Sequence, residues 1–484
     1  MIAALSGACL AFAFPKFNVP GLAPLGAAGL FWLAQRLSWK RLLLVAWFGA
    51  TVFFCITFSW FGYTVGSALG SLAFALVLVP ALGEGAYLAA SIVLASFAYG
   101  RVREAFAPIA AAAAFTIFEW LRSIGPVGVP FGQLGYSAAD TPLAVFGAYI
   151  GTFGITFVIC TIGAYLAQAI ALRRNRFLIA ALAVTIVAWL GCWFAWPARH
   201  AAAPTLRVAA IQGNIAQSTK WHGKNTLAKA VDRYSGLTKR AAAYGATLVV
   251  WPETVITTVL SNNANLQRAI GGLARDLTTT LAVGSLSEQN GMEYNSLFVF
   301  GPRGRLAYVY DKRQLVPFAE AFPGRAFLSW IPYTNLITGF GTGTEDGIFF
   351  AGGMAFAPLI CWESAFADLT YAQVRAGAQA FVIVTDDAWF GETAGPYQHA
   401  QIARLRAIET GSWILRSAST GISGIIAPNG QYVQQSGLDR EAIILGRIGT
   451  APGSVFGHLG PTTIVASLAV LYLVLLVGVR RAAT

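Results

Sequence analysis

The sequence predicts a membrane protein of α/β class, an eight-helix transmembrane bundle with one large soluble α/β domain inserted before its last span. Three observations predict it. The residues AVILMFWYC make up 56% of the 484 positions and DEKR only 11%, against roughly a quarter charged in soluble proteins. Charge is also uneven, because residues 1–200 carry 15 charged side chains whereas residues 201–458 carry 37. Apolar runs that approach the roughly 20 residues needed to cross a bilayer crowd the first 198 positions and recur once near the end. A disordered, collagenous or disulfide-stapled chain is excluded.

The spans are expected at 2–14, 22–37, 41–65, 69–100, 105–123, 143–172, 177–197 and 462–479. The first lacks the basic leader and small-residue cleavage site of a secretory signal and is expected to be retained. Pro80 and Gly83-Glu84-Gly85 threaten to break the fourth into two short pieces, which would switch the side of the insert if each crossed. The implied domains are 1–198 (seven spans), 199–458 (the insert) and 459–484 (the eighth span and a tail), with the Ala/Pro segment 196–204 as linker.

A net charge of +12 invites a nucleic-acid reading, so its location matters. The insert holds 20 basic against 17 acidic residues, while residues 1–200 hold 11 against 4. The excess therefore flanks hydrophobic spans, and nucleic acid is not an expected partner. Arg36, Lys40 and Arg41, then Arg101 and Arg103, then Arg173, Arg174 and Arg176, and finally Arg480 and Arg481 all fall on one side if both termini are cytoplasmic. Seven crossings then put the insert outside the cytoplasm, in the periplasm of a bacterium with an inner membrane. Glu119, Arg122 and the Gly/Pro-rich loop 125–136 end the fifth span on that same face, either as an interfacial anchor or as a membrane-level floor beneath a site.

Within the insert, strand-like runs at 206–211, 247–251, 281–283, 296–300, 307–310, 354–360 and 380–384 alternate with helical patterns at 225–244, 265–279, 366–376 and 396–410. Of five cysteines, Cys9, Cys55, Cys160 and Cys192 lie in apolar spans; only Cys361 is in the insert, with no metal-ligand spacing around it. Three reactive side chains each follow a strand-like run: Glu253 after Leu248-Val-Val-Trp-Pro, Lys312 after Tyr308-Val-Tyr-Asp, and Cys361 after Ala357-Pro-Leu-Ile. Strand ends are where open α/β sheets gather catalytic groups. A thiol needs a base to become a thiolate and a cation to hold that charge, and Glu253 and Lys312 supply both. None of the insert's histidines, His222, His399 and His458, ends a core strand, and no G-x-S-x-G elbow is present. The stretch Gly339-Phe-Gly-Thr-Gly343 reads as a loop, not a phosphate cradle.

Trp-Pro-Glu253, Tyr-Asp-Lys312 and Ile-Cys-Trp-Glu363 resemble the triad motifs of the nitrilase, or carbon–nitrogen hydrolase, superfamily. With eight spans and the loop Phe131-Gly-Gln-Leu-Gly-Tyr-Ser137, the resemblance narrows to the apolipoprotein N-acyltransferase family. It implies a nitrilase-like αββα insert and catalytic Glu253, Lys312 and Cys361, with Glu320, in Leu315-Val-Pro-Phe-Ala-Glu320, as a second essential acid. It further implies substrate contacts by Trp221, Asn295, Trp362, Glu363 and Trp389, and an apolar roof around 322–340. The implied reaction is ping-pong acyl transfer without metal or cofactor, from a phospholipid donor through a Cys361 thioester to the α-amine of a diacylglyceryl apolipoprotein. Departures from the family pattern are Gln314, Ala319 and Ala321 around Glu320, Trp362 after the Cys, and Asp386 in Thr385-Asp-Asp-Ala-Trp-Phe390. A membrane-tethered amidase on a small substrate and a non-catalytic transporter or scaffold are the rival readings.

Overall fold

The computed structural model describes residues 1–195, 204–222, 225–323, 339–450 and 453–478. The expected linker and most of the expected roof lie outside them. The chain forms two compact units: one of Met1–Arg199, Phe390–Glu409 and Ser454–Thr484, the other of His200–Trp389 and Thr410–Gly453.

The first unit is helical. Its first 195 residues form α1 (Ile2–Phe12), α2 (Leu22–Ala34), α3 (Trp39–Thr57), α4 (Ser59–Leu69), α5 (Leu78–Arg101), α6 (Ala107–Leu121), α7 (Gly147–Leu172) and α8 (Asn175–Ala195), and the helices Gly395–Thr410 and Val455–Gly478 complete it. Among the described residues five helical stretches are long and apolar enough to cross a bilayer: Trp39–Thr57, Ser71–Arg101, Pro142–Leu172, Asn175–Trp193 and Val455–Gly478. The apolar helices α1, α2 and α6 are shorter, so length and composition support five crossings and do not establish the expected eight. The expected third span divides at Phe58 into α3 and α4, whereas α5 runs unbroken through Gly83-Glu84-Gly85. Small residues let these helices touch: a side chain on Gly7 would come within 2.1 Å of the Gly49 carbonyl oxygen.

Glu119 and Arg122 are both buried within the helical unit. Arg122 is buried with Glu84 at 3.2 Å, and it donates to the carbonyls of Val129 and Phe131. Glu119 accepts from the Leu134 amide at 2.6 Å and the Thr156 hydroxyl at 2.7 Å. This network folds the Gly/Pro loop against the helices and satisfies several of its backbone polar groups, as buried irregular chain requires.

The second unit contains two six-stranded sheets. Strands β1 (Leu206–Gln212), β2 (Leu248–Val250), β3 (Thr280–Gln289), β4 (Met292–Phe300), β5 (Leu306–Asp311), β6 (Phe349–Ala351), β7 (Met354–Ile360), β8 (Ala380–Thr385), β9 (Trp413–Ala418), β10 (Gly424–Ile426), β11 (Tyr432–Gln435) and β12 (Ala442–Ile448) pair in the orders β12-β1-β2-β3-β4-β5 and β11-β10-β9-β8-β7-β6. In each sheet two parallel pairings are flanked by antiparallel ones. The period of two along a strand assigns the faces. On β1, Val208 and Ala210 pack with Phe356, Val382 and Leu415 of the other sheet, while Ala209 and Ile211 pack with Tyr234, Leu237 and Ala241 of helix Thr226–Ala243. Burial on both faces explains why the central strands read as unbroken apolar runs.

Candidate active site

Three connections carry the expected triad. After β2, Trp251 is fully buried and its indole N–H donates to the Thr238 hydroxyl at 2.8 Å, which fixes where the turn to Glu253 begins. Gly284 on β3 lets that turn approach, since a side chain there would come within 2.1 Å of the Pro252 carbonyl oxygen. Lys312 directly follows β5, and its amide donates to the Asn295 carbonyl at 2.8 Å. Cys361 directly follows β7 with φ of +52°, a left-handed conformation uncommon for a residue with a side chain and held here by a tight turn over Cys361–Ala365.

The structure brings these groups together. The Lys312 ammonium, with no exposed side-chain surface, lies 3.3 Å from Glu253 Oε1 and 2.9 Å from the Glu320 carboxylate. Glu320 sits on a turn whose Val316 amide donates to its Oε2 at 2.9 Å. Asn295 Nδ2 donates to Glu253 Oε1 at 2.8 Å and to Glu320 Oε1 at 3.1 Å, and the Asp386 amide donates to Glu253 Oε2 at 2.7 Å. Burial works against a charged Lys312, but Glu320 and Glu253 outweigh it and hold the amine protonated, above the ordinary lysine range. Burial, reinforced by the negative charge of Glu253, pushes the Cys361 thiol well above its ordinary range, and Lys312 and a hydrogen bond with the Thr385 side chain oppose that only in part. The shift favours the neutral form of the Cys361 thiol, which lies near the side chains of Glu253 and Lys312.

Glu363 takes a different place from the substrate contact expected of it. It is fully buried and accepts from the amides of Ile360 (2.7 Å), Arg313 (2.6 Å) and Gln314 (3.2 Å) and from the Tyr310 hydroxyl (3.0 Å). These bonds fasten the chain just after Lys312 to the turn that carries Cys361, so Glu363 sets the spacing of the two and has little acceptor capacity left for a substrate. Asn295 likewise supports the two acids. Trp362 is buried against Phe366, with ring centroids 6.2 Å apart, while Trp389 is 45% exposed. The Trp221 side chain lies outside the described residues.

His399 belongs to the helical unit, buried between the rings of Phe131 and Phe390. Among the described residues no three His, Cys, Asp or Glu side chains cluster as a metal site needs. The sequence reading missed the buried pair Lys220 and Asp386, 2.6 Å apart. The departure at Asp386 was its only signal: an added acid directly after a buried strand, beside Asp387, requires a cation.

The family model "Carbon-nitrogen hydrolase" matches residues 207–451, and the model "Apolipoprotein N-acyltransferase N-terminal domain" matches residues 6–165. An apolipoprotein N-acyltransferase of Allorhizobium ampelinum is 32% identical over 470 residues, covering 92% of this chain and 88% of that one. One from Brucella suis is 33% identical over 360 residues, 69% of this chain and 66% of the relative. Among solved structures, an amidase from Nesterenkonia sp. AN1 superposes with a TM-score of 0.40 at 18% identity, over 52% of this chain and 95% of that one.

Proposed function

The chain belongs to the apolipoprotein N-acyltransferase family, and from that premise we propose how this member moves an acyl chain: through a thioester on Cys361, with a phospholipid as donor. The observation that carries the proposal is the convergence of Glu253 and Lys312 on Cys361, each from the end of a different strand.

Glu253 accepts the Cys361 proton as the sulfur attacks an ester carbonyl of the phospholipid. The electron pair of the carbonyl moves to oxygen, and the Lys312 ammonium with the Trp362 backbone N–H stabilises the oxyanion; one such donor is worth about 3–4 kcal/mol. Collapse expels the glycerol oxygen, which takes the proton back from Glu253 and leaves as lyso-phospholipid. The α-amine of a diacylglyceryl-cysteine then attacks the thioester, Glu253 receives the amine proton and returns it to the departing sulfur, and an amide results. The thiol's high proton affinity fits this order, because charge on sulfur arises only as the proton moves. Asn295 holds both acids, and Glu320 keeps Lys312 charged. Trp221 and Trp389 are assigned to acyl-chain contact.

The basic clusters along the short loops support a reading in which the catalytic unit is periplasmic and both termini are cytoplasmic. A small-molecule amidase is disfavoured by the match of residues 6–165 to a domain particular to the acyltransferases. Intact-mass spectrometry of the purified protein mixed with phospholipid is the test: one acyl adduct, removed by hydroxylamine and absent from Cys361→Ala, is expected. A Cys361→Ala protein that still N-acylates lipoprotein would sink the mechanism.

A further inference from the structure

We propose that Lys220 and Asp386 are a positioning pair for the base, and that they couple docking of the short helix Gln217–His222 to the alignment of Glu253. The inference rests on the assignment of Glu253 as that base. Lys220 Nζ lies 2.6 Å from Asp386 Oδ2, 3.0 Å from the Thr254 hydroxyl and 3.4 Å from the Glu253 carbonyl oxygen. One ammonium thus ties three segments: its own helix, the turn after β2 and the end of β8. Asp386 in turn donates its backbone N–H to Glu253 Oε2 at 2.7 Å. The carboxylate that accepts the thiol proton is therefore oriented by a residue whose own charge is balanced by Lys220.

Three features argue that the pair positions and does more than stabilise. Both side chains are about as buried as the core, 5% and 3% exposed, and removing two charges from water costs so much that an apolar pair of the same volume would serve stability equally well. Asp386 Oδ1 meets no donor among the described residues, so Lys220 is its principal compensation. Thr254, which Lys220 grips, has φ of +43°, a left-handed conformation that a β-branched residue adopts only under constraint. Without Lys220 the turn is released from that grip, and an uncompensated carboxylate is left beside Glu253.

Among the described residues the titratable and charged groups around Glu253 include Lys312, with Glu320 behind it, the neutral Cys361 thiol, Lys220 with Asp386, and, beyond Cys361, Asp387 paired with Arg416. Deleting Lys220 alone adds one net negative charge to this set, which favours the protonated, inactive base. Deleting both charges restores the balance. The test uses the full-length protein in detergent with a defined diacyl phosphatidylethanolamine, and follows Cys361 thioester formation by intact mass from about pH 5 to 9. Lys220→Met is expected to slow the step about 30-fold at neutral pH and to move the acidic limb of the rate profile up by about one unit. Lys220→Met/Asp386→Asn is expected to return the limb to its wild-type position and to recover only part of the rate, because the grip on Thr254 is still absent, and Lys220→Arg to keep the wild-type limb.

If the double variant is as slow as the single and every limb coincides with wild type, the pair is structural only and the inference fails. If Lys220→Met itself keeps wild-type rate and limb while Glu253→Gln is inactive, the inference fails and the base assignment stands. Acylation of Glu253→Gln at the wild-type rate would remove the base assignment and this inference with it.

Discussion

The Asn295 amide donates to Glu253 Oε1 at 2.8 Å, so a neutral side chain holds the base from one side while Lys312 holds the same oxygen from another. Asn295 also reaches Glu320, which makes it the spacer between two acids that share one ammonium. Asn295→Asp inserts a third carboxylate between them, and Asn295→Ala removes the spacer. Thioester formation should fall at least about 100-fold in the first and about tenfold in the second, a loss of some 1.4 kcal/mol of barrier lowering per decade. Single-turnover mass spectrometry measures both, and equal rates for the two variants would contradict the spacer role.

Thiol chemistry gives a signed pH prediction. Burial and Glu253 push the Cys361 thiol well above its ordinary range, so the thiolate is scarce at neutral pH and grows as pH rises. Alkylation by iodoacetamide, which needs the thiolate, should be slow at pH 7 and still climbing above pH 9. Lys312→Met removes a charge that favours the thiolate, so alkylation should slow further at every pH. A plateau near the free-cysteine value of about 8.5 would show instead that the thiol is not perturbed.

Glu363 tests the frame of the site. Replacing it by Gln keeps the shape but leaves one oxygen acceptor and turns an N–H toward backbone donors. Breaking a buried charged acceptor in this way costs about 1–3 kcal/mol. Both thermal stability and acyl-enzyme yield should fall, because the same bonds hold the Cys361 turn and the chain after Lys312. Unchanged melting with unchanged activity would exclude the clasp.

Gly284→Ala probes the same geometry from the other side. A methyl group 2.1 Å from the Pro252 carbonyl oxygen cannot be accommodated without moving the Glu253 turn, a strain of about 1–3 kcal/mol. The expected outcome is a protein that still folds, since β3 tolerates alanine, but forms thioester at least about tenfold more slowly; wild-type kinetics would mean that the turn relaxes freely.

Much of the second unit was legible in the sequence. The seven strand-like runs all correspond to strands, because two-sided burial writes itself as local apolar runs, and three of the four helical patterns sit within a few residues of helices of this unit, the fourth matching Gly395–Thr410 of the first unit. Of the five strands not anticipated, β6, β10 and β11 have only three or four residues, while the apolar openings of β9 and β12 are cut short by Arg416 and Gly446. In the first unit, hydropathy located the apolar helices but not the break at Phe58 or the short lengths of α1, α2 and α6, since composition reports burial and not where a helix ends. Hydropathy also gave no sign that Phe390–Glu409, which is polar and lies within the insert, packs with the helical unit.

By itself the sequence distinguished an apolar, charge-poor stretch from a charge-rich insert, and located the three strand ends that carry Glu253, Lys312 and Cys361. Periodicity and charge are local properties that survive in one dimension. Only the tertiary structure decided what orients those groups: Asp386, 133 residues from Glu253, reaches it through a backbone amide, and Lys220 meets Asp386 across 166 residues. Such contacts depend on which strand lies beside which and on which charges burial forces into pairs, and a linear pattern of hydrophobicity contains neither.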